Sequence, residues 1–284
     1  MNLYQIKQDM LEAGRRLYQN GYIVSSDGNI SARLEEDRIL ATPTGLCKGT
    51  LSPEDLVVCD MDGKRVSGRL HPSSEIGMHL FLYRERPDIR AVVHAHPPTA
   101  TGFTVAGVPL TDCVLPEVII TLGSVPTASY GTPGGPEISD PIRQFVKDYD
   151  AYLLENHGAT TVGSDVMNAY YKMETLEHFA RILFVARQLG GINVLDREQV
   201  ARLLKIRERL GIRGPDPACR LDGLTPTPAA GTSGGIPTLR TRCAGGGPSP
   251  SGPSPGSVSS SDSASALIDE ITHRVMEELA RTSR

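Results

Sequence analysis

The chain has 284 residues, 39% of them hydrophobic and 22% charged, the balance of a globular protein with a real core. Lys and Arg number 29 and Asp and Glu 33, a net charge of −4, which excludes a nucleic-acid binder that works through bulk positive charge. No segment approaches the ~20 consecutive apolar residues of a membrane span, and Lys7 and Asp9 fall where a signal peptide is apolar, so a cytoplasmic protein is expected. The five Cys (47, 59, 113, 219 and 243) are odd in number and form no CxxC pair; a reduced set is the expectation, with no cysteine metal site. There is no Trp, and no Phe or Tyr follows Phe184, so the core must be built before the last hundred residues.

In chain order, Leu3, Ile6, Met10, Ala13 and Leu17 step by three or four, which predicts an amphipathic helix ending at Asn20-Gly21. Arg38–Thr42 and Leu56–Cys59 read as short strands, the second closed by a turn at Asp60–Gly63. Ser74–Arg86 reads as a helix that stops before Pro87. Ala91–His96 reads as a buried strand stopped by Pro97-Pro98, and Tyr152–Leu154 as another that runs into Glu155-Asn156-His157-Gly158. Ser164–Leu189 is a long predicted helix with Ser164 as its cap and Gly190-Gly191 at its end. Asp196–Leu210 is a last core helix, with Asp196 as N-cap. Strands in the middle and helices at both ends argue an α/β fold with a sheet covered on its faces. Residues 213–262 hold 10 Gly and 9 Pro, a composition that cannot bury enough apolar surface to offset its ordering entropy, so a flexible linker is expected there. Residues 263–284 turn helical again.

His94 and His96 are two apart on a predicted strand, so both imidazoles point to one face and can reach one point. Paired His on a strand can hold a divalent metal; the alternative is two strand His satisfied by hydrogen bonds. His157, in a tight turn, is a candidate third ligand, and three His suit Zn²⁺ with an open position for substrate. Ser73, Ser74 and Glu75 stand at a predicted helix start, where hydroxyls and free N–H groups favour an anion such as phosphate, or simply cap the helix. The turns Ser26-Asp27-Gly28-Asn29-Ile30-Ser31 and Thr42-Pro43-Thr44-Gly45 offer further backbone N–H groups. No P-loop is present and no GxGxxG follows a strand, so nucleotide binding is not supported.

Taken in order, Ser26–Ser31, Thr42–Gly45, Ser73-Ser74-Glu75, His94-Ala95-His96 and Asn156-His157-Gly158 resemble the class II aldolase/adducin family, and within it the L-fuculose-1-phosphate aldolases. The resemblance covers residues 1–212. It implies a three-layer α/β/α fold with a mostly antiparallel sheet, and a homotetramer with active sites at subunit interfaces. It implies one Zn²⁺ per subunit on His94, His96 and His157, with Glu75 as acid/base. Asn29, Thr44, Gly45, Ser73 and Ser74 would hold the substrate phosphate. The implied reaction is retro-aldol cleavage of L-fuculose 1-phosphate, and of L-rhamnulose 1-phosphate as well, to dihydroxyacetone phosphate and L-lactaldehyde. Some members carry a Tyr after the HxH strand that reaches a neighbouring subunit's site and protonates the leaving aldehyde oxygen. Here Glu117 and Tyr130 are the nearest stand-ins, and a C-terminal Tyr is absent.

Three other readings share these motifs: a sugar-phosphate 4-epimerase, which typically has Asp at the place of Glu75, a methylthioribulose 1-phosphate dehydratase, and an adducin-like interaction domain, which lacks the metal His. Past the predicted linker, Leu267, Ile268, Ile271, Val275 and Leu279 line one face of a short helix. A helix this short is marginal alone in water, so its stripe calls for a partner. It resembles the encapsulation peptides of bacterial microcompartment cargo. That resemblance implies that Leu267, Ile271, Val275 and Leu279 contact a shell protein or co-cargo and that the enzyme resides inside a compartment.

Overall fold

In the computed structural model, which describes residues 2–35 and 37–212, one eight-stranded sheet carries helices on both faces. The strands are β1 (Asn29–Glu35), β2 (Arg38–Ala41), β3 (Val57–Cys59), β4 (Arg65–Ser67), β5 (Ala91–Ala95), β6 (Thr127–Ala128), β7 (Ala151–Leu154) and β8 (Gly158–Gly163). Their spatial order is β4-β3-β2-β1-β5-β8-β7-β6. Every neighbouring pair is antiparallel except β6 with β7. The helices are α1 (Leu3–Gln19), α2 (Ile76–Glu85), α3 (Pro98–Val105), α4 (Pro116–Thr121), α5 (Ser139–Arg143), α6 (Val166–Gln188) and α7 (Arg197–Arg209).

Period-two alternation divides the core between the two faces. Along β5, Ala91, Val93 and Ala95 join Met10 and Leu17 of α1 and Met173, Leu176 and Phe179 of α6. Val92 faces the other way, among Met78 and Leu82 of α2 and Ile142 of α5. His94 shares the parity of Val92 and so points to the α2 side. Antiparallel register sets Asn29 of β1 beside His94, and His94 beside Thr160 of β8. The three-layer fold with a mostly antiparallel sheet therefore follows the expectation from sequence.

Several element ends differ from those read in the sequence. α2 begins at Ile76, not Ser74, leaving Ser73 and Ser74 in the loop ahead of it. α6 is capped by Asp165, which accepts from Asn168 N at 2.8 Å, rather than by Ser164. Pro98 does not only stop a strand; it opens α3, as Pro does at a first helical position. Asp196 caps α7 as expected, in a reciprocal box with Gln199. Cys47 and Cys59 are free thiols, but Cys113 is disulfide-bonded, a departure from the reduced set expected. The predicted linker at 213–262 and the predicted helix at 263–284, with Leu267, Ile271, Val275 and Leu279, lie outside the described residues.

Candidate active site

The three histidines come from two places, and short backbone spans aim them. His94 and His96 leave the end of β5 on one side, because their spacing matches the pleat. His157 sits in the turn between β7 and β8, where Asn156 takes a left-handed φ of 54° and His157 N donates to Leu154 O at 3.1 Å. Gly158 lets this turn approach β5: a Cβ there would stand 2.5 Å from Ala95 O and 2.6 Å from His96 Cδ2. Any side chain at 158 would push the turn, and His157 with it, away from its partners.

The rings converge, with centroids 4.7–5.1 Å apart and one ligand nitrogen from each lying within 4.8 Å of the others. Nε2 of His94 and Nε2 of His96 are 3.2 Å apart, close to the ~3.3 Å between two nitrogens on one tetrahedral zinc with bonds of ~2.0–2.1 Å. His94 is fully buried, and its Nδ1 lies 3.0 Å from Ala159 O and 3.1 Å from Thr160 Oγ1. That contact places the ring proton on Nδ1 and leaves Nε2 free as a ligand. Asp27 Oδ2 lies 3.5 Å from His96 Nδ1, a carboxylate where it can hold the second ring in the same tautomer. Burial, then the neighbouring His96 and His157, push the His94 pKa well below its ordinary value. Burial, then His96, lowers His157 to about 4. Neutral imidazoles are the form that binds a metal. His157 Nδ1 and Glu75 Oε1 are buried without a hydrogen-bond partner. This donor set fits a divalent ion.

Glu75 stands at the head of α2 and spans the cluster. Its Oε2 accepts from Asn29 Nδ2 at 2.8 Å and lies 3.4 Å from His94 Nε2, while Oε1 lies 3.3 Å from His157 Nε2. Burial raises its pKa, and the Asn29 hydrogen bond partly offsets the rise. Ser73 Oγ accepts from Glu75 N at 3.3 Å, so the hydroxyl braces the chain just ahead of the helix.

These residues open onto a cavity of about 410 Å³ that is also lined by Thr44, Gly45, Ser73 and Ser74. All nine candidates (Asn29, Thr44, Gly45, Ser73, Ser74, Glu75, His94, His96 and His157) are thus brought together, His94 behind the wall and the others on it. Ser26, Asp27 and Gly28 of the first predicted turn also line the wall, and sequence reasoning missed three further wall residues: Lys48, Pro133 and Gly134. Lys48 carried the one readable signal, a lone basic residue just past the Thr44-Gly45 turn. Glu117 is exposed on α4 and Tyr130 is 56% exposed, and neither lines the cavity. A larger cleft, about 940 Å³ along Arg86, Asp150 and Lys172, holds no member of the His cluster.

Comparison with known proteins gives the same picture. The family described as Class II Aldolase and Adducin N-terminal domain matches residues 8–184. A 3-oxo-tetronate 4-phosphate decarboxylase of Pectobacterium atrosepticum is 34% identical over 203 residues, 69% of this chain and 91% of the relative. An L-fuculose phosphate aldolase of Methanococcus maripaludis is 34% identical over 64% of this chain and 97% of its own. Among solved structures, an L-fuculose 1-phosphate aldolase superposes with a TM-score of 0.67 at 30% identity, covering 73% of this chain and 98% of that one. YgbL from Klebsiella pneumoniae gives 0.65 at 33% identity, with 72% and 99% covered. The match spans more than half of the 284 residues, and the chain belongs to the class II aldolase and adducin family as one of its lyase-type enzymes.

Proposed function

We propose that the chain cleaves a small ketose phosphate, L-fuculose 1-phosphate and with it L-rhamnulose 1-phosphate, to dihydroxyacetone phosphate and L-lactaldehyde. The observation that carries this reading is a carboxylate set among three convergent imidazoles on a cavity whose wall also carries small hydroxyls and a tight glycine turn. Zn²⁺, one per subunit, would be held by His94, His96 and His157 and would act as a Lewis acid on the substrate oxygens beside the bond that breaks. Ser73, Ser74, Thr44 and Gly45 bind the phosphate and so fix the reacting carbon relative to Glu75. Glu75 delivers a proton to that carbon after cleavage, or removes it in the condensation direction. Asn29 holds Oε2 of that carboxylate and leaves Oε1 for the transfer. Purified protein supplied with each ketose 1-phosphate should form dihydroxyacetone phosphate, lose that activity on chelation and regain it with zinc. Failure of both substrates to turn over would sink the aldolase reading.

The name of one relative favours a second reading, loss of carbon dioxide from a 3-oxo acid phosphate, which requires no group at an aldehyde end. The carbon–carboxylate bond breaks, its electron pair stays on the carbon next to the ketone, and that carbon takes a proton from Glu75. A relative at 34% identity bears the name of such a decarboxylase. Carbon dioxide released from 3-oxo-tetronate 4-phosphate, with no aldehyde formed from either ketose phosphate, would select this reading.

A homotetramer and residence inside a bacterial microcompartment belong to the same proposal. The decarboxylase relative leaves nearly a third of this chain without a counterpart in it. The residues beyond the matched region include the apolar stripe of Leu267, Ile271, Val275 and Leu279. That stripe supports docking on a shell protein or co-cargo.

A further inference from the structure

Lys48 is a group that neither reading of the cavity uses. It is only 2% exposed, yet it lines the cavity beside Thr44, Gly45, Ser73 and Ser74. Its Nζ donates to the Ser26 carbonyl oxygen. An ammonium has three donors, and this one has a single carbonyl acceptor. Asp27 and Glu75 act on its charge through space, and burial pushes its pKa down. A buried cation without a hydrogen-bonded counter-charge is costly, and an anion that enters the cavity beside it would relieve that cost.

Its placement is built into the fold. Lys48 opens the short 3-10 turn Lys48–Thr50, and α1 crosses directly over its backbone. A Cβ at Gly14 would collide with the Lys48 carbonyl, so the glycine is what lets the helix seat this turn. The electrostatics of the wall point the same way. Its charged side chains, the imidazoles aside, are Asp27, Glu75 and Lys48. The four residues assigned to the phosphate are neutral. A divalent ion on the imidazoles would offset the two carboxylates, and Lys48 is the ammonium on this wall left to face a phosphate dianion.

We propose that Lys48 is the charged member of the anion cradle. Its ammonium donates to a phosphate oxygen of the substrate and makes the site select phosphorylated ketoses over neutral ones. This rests on the reading of the cavity as a phosphate site. The bland alternative is a clamp that ties the Ser26 loop to the 3-10 turn. The two differ in what removal of the charge does to the empty protein. A clamp stabilises it, whereas a cation held ready for a ligand destabilises it.

The test measures inorganic phosphate binding to full-length, zinc-loaded protein by calorimetry, for wild type, Lys48→Met and Ser73→Ala, with melting temperatures taken without phosphate. Lys48→Met should weaken phosphate roughly 10- to 100-fold, the range for a lost hydrogen bond to a charged group. It should also flatten the salt dependence and leave the melting temperature unchanged or raised. Zinc content should not change. Should Lys48→Met fail to fold, Lys48→Gln keeps a donor for the Ser26 oxygen while removing the charge, and the same loss is expected. A lowered melting temperature with unchanged phosphate affinity would make Lys48 a clamp. If Ser73→Ala weakens phosphate and Lys48→Met does not, the cradle stands and the assignment of Lys48 falls. No phosphate binding by wild type overturns the phosphate reading itself.

Discussion

Glu75 and the histidines around it have proton affinities shifted in opposite senses, and the sign of each shift predicts a behaviour of the metal-free protein. Burial holds the His157 pKa near 4 against an ordinary 6.5 and pushes His94 well below its ordinary value as well. A depressed value means that the unfolded chain takes up protons first. Their contribution is complete above pH ~6.5 and is lost as pH falls toward ~4. Thermal melts of chelated protein should therefore drop in midpoint across that window, and zinc release should track the same protonation. Glu75 is raised from 4.5 by burial, so its contribution is full below pH ~4.5 and lost as pH climbs through the folded value. Chelated Glu75→Gln should melt higher than wild type at neutral pH. The same variant, loaded with zinc, should keep its metal and lose turnover. Ser73→Ala should raise KM more than it lowers kcat, the sign of lost ground-state binding. Asn29→Ala should lower kcat as well, because its amide is bonded to the carboxylate.

Elements carry the site by close approach, and Gly158→Ala tests that directly. With backbone oxygen and an imidazole carbon inside the reach of a new Cβ, the β7–β8 turn must shift. The expected cost is about 1–3 kcal/mol, read as a lower midpoint in urea together with weaker zinc binding. This feature also shows what a sequence displays and what it hides. His94 and His96 were legible because strand pleat is a local rule, and α1, α6 and α7 because helical periodicity is. β1 was hidden, since Asn29 and Ser31 are polar residues facing a polar interior. Ser31 Oγ lies 2.7 Å from His79 Nδ1 and 2.9 Å from Tyr83 OH, a buried network that no hydrophobic pattern announces. β6 and α5 span only two and five residues and fall below any periodicity. Lys48 went unread because a single Lys in a loop is ordinarily a solvated charge; its burial comes from the crossing of α1 over a turn some thirty residues further along.

At the scale of the whole molecule, the described elements hold the sheet, both faces of its core and the entire His cluster within residues 2–212. Assayed under reducing conditions, which free the Cys113 thiol in both proteins, truncation after Ile212 should leave turnover per subunit essentially unchanged. A fluorescent reporter fused to residues 263–284 should concentrate in shells co-expressed with it, and a diffuse reporter would count against compartment residence. The two ends of the sheet bear on what such crowding would do. The outer strands are β4, three exposed residues, and β6, two residues. Arg65 folds its guanidinium back onto the carbonyls of Arg69 and Leu70, which occupies acceptors beside the outer strand. A sheet with such brief borders offers little template for a neighbour's backbone. Solutions of this domain should therefore withstand dense packing as discrete particles, without the edge-to-edge fusion that turns open sheets into fibres.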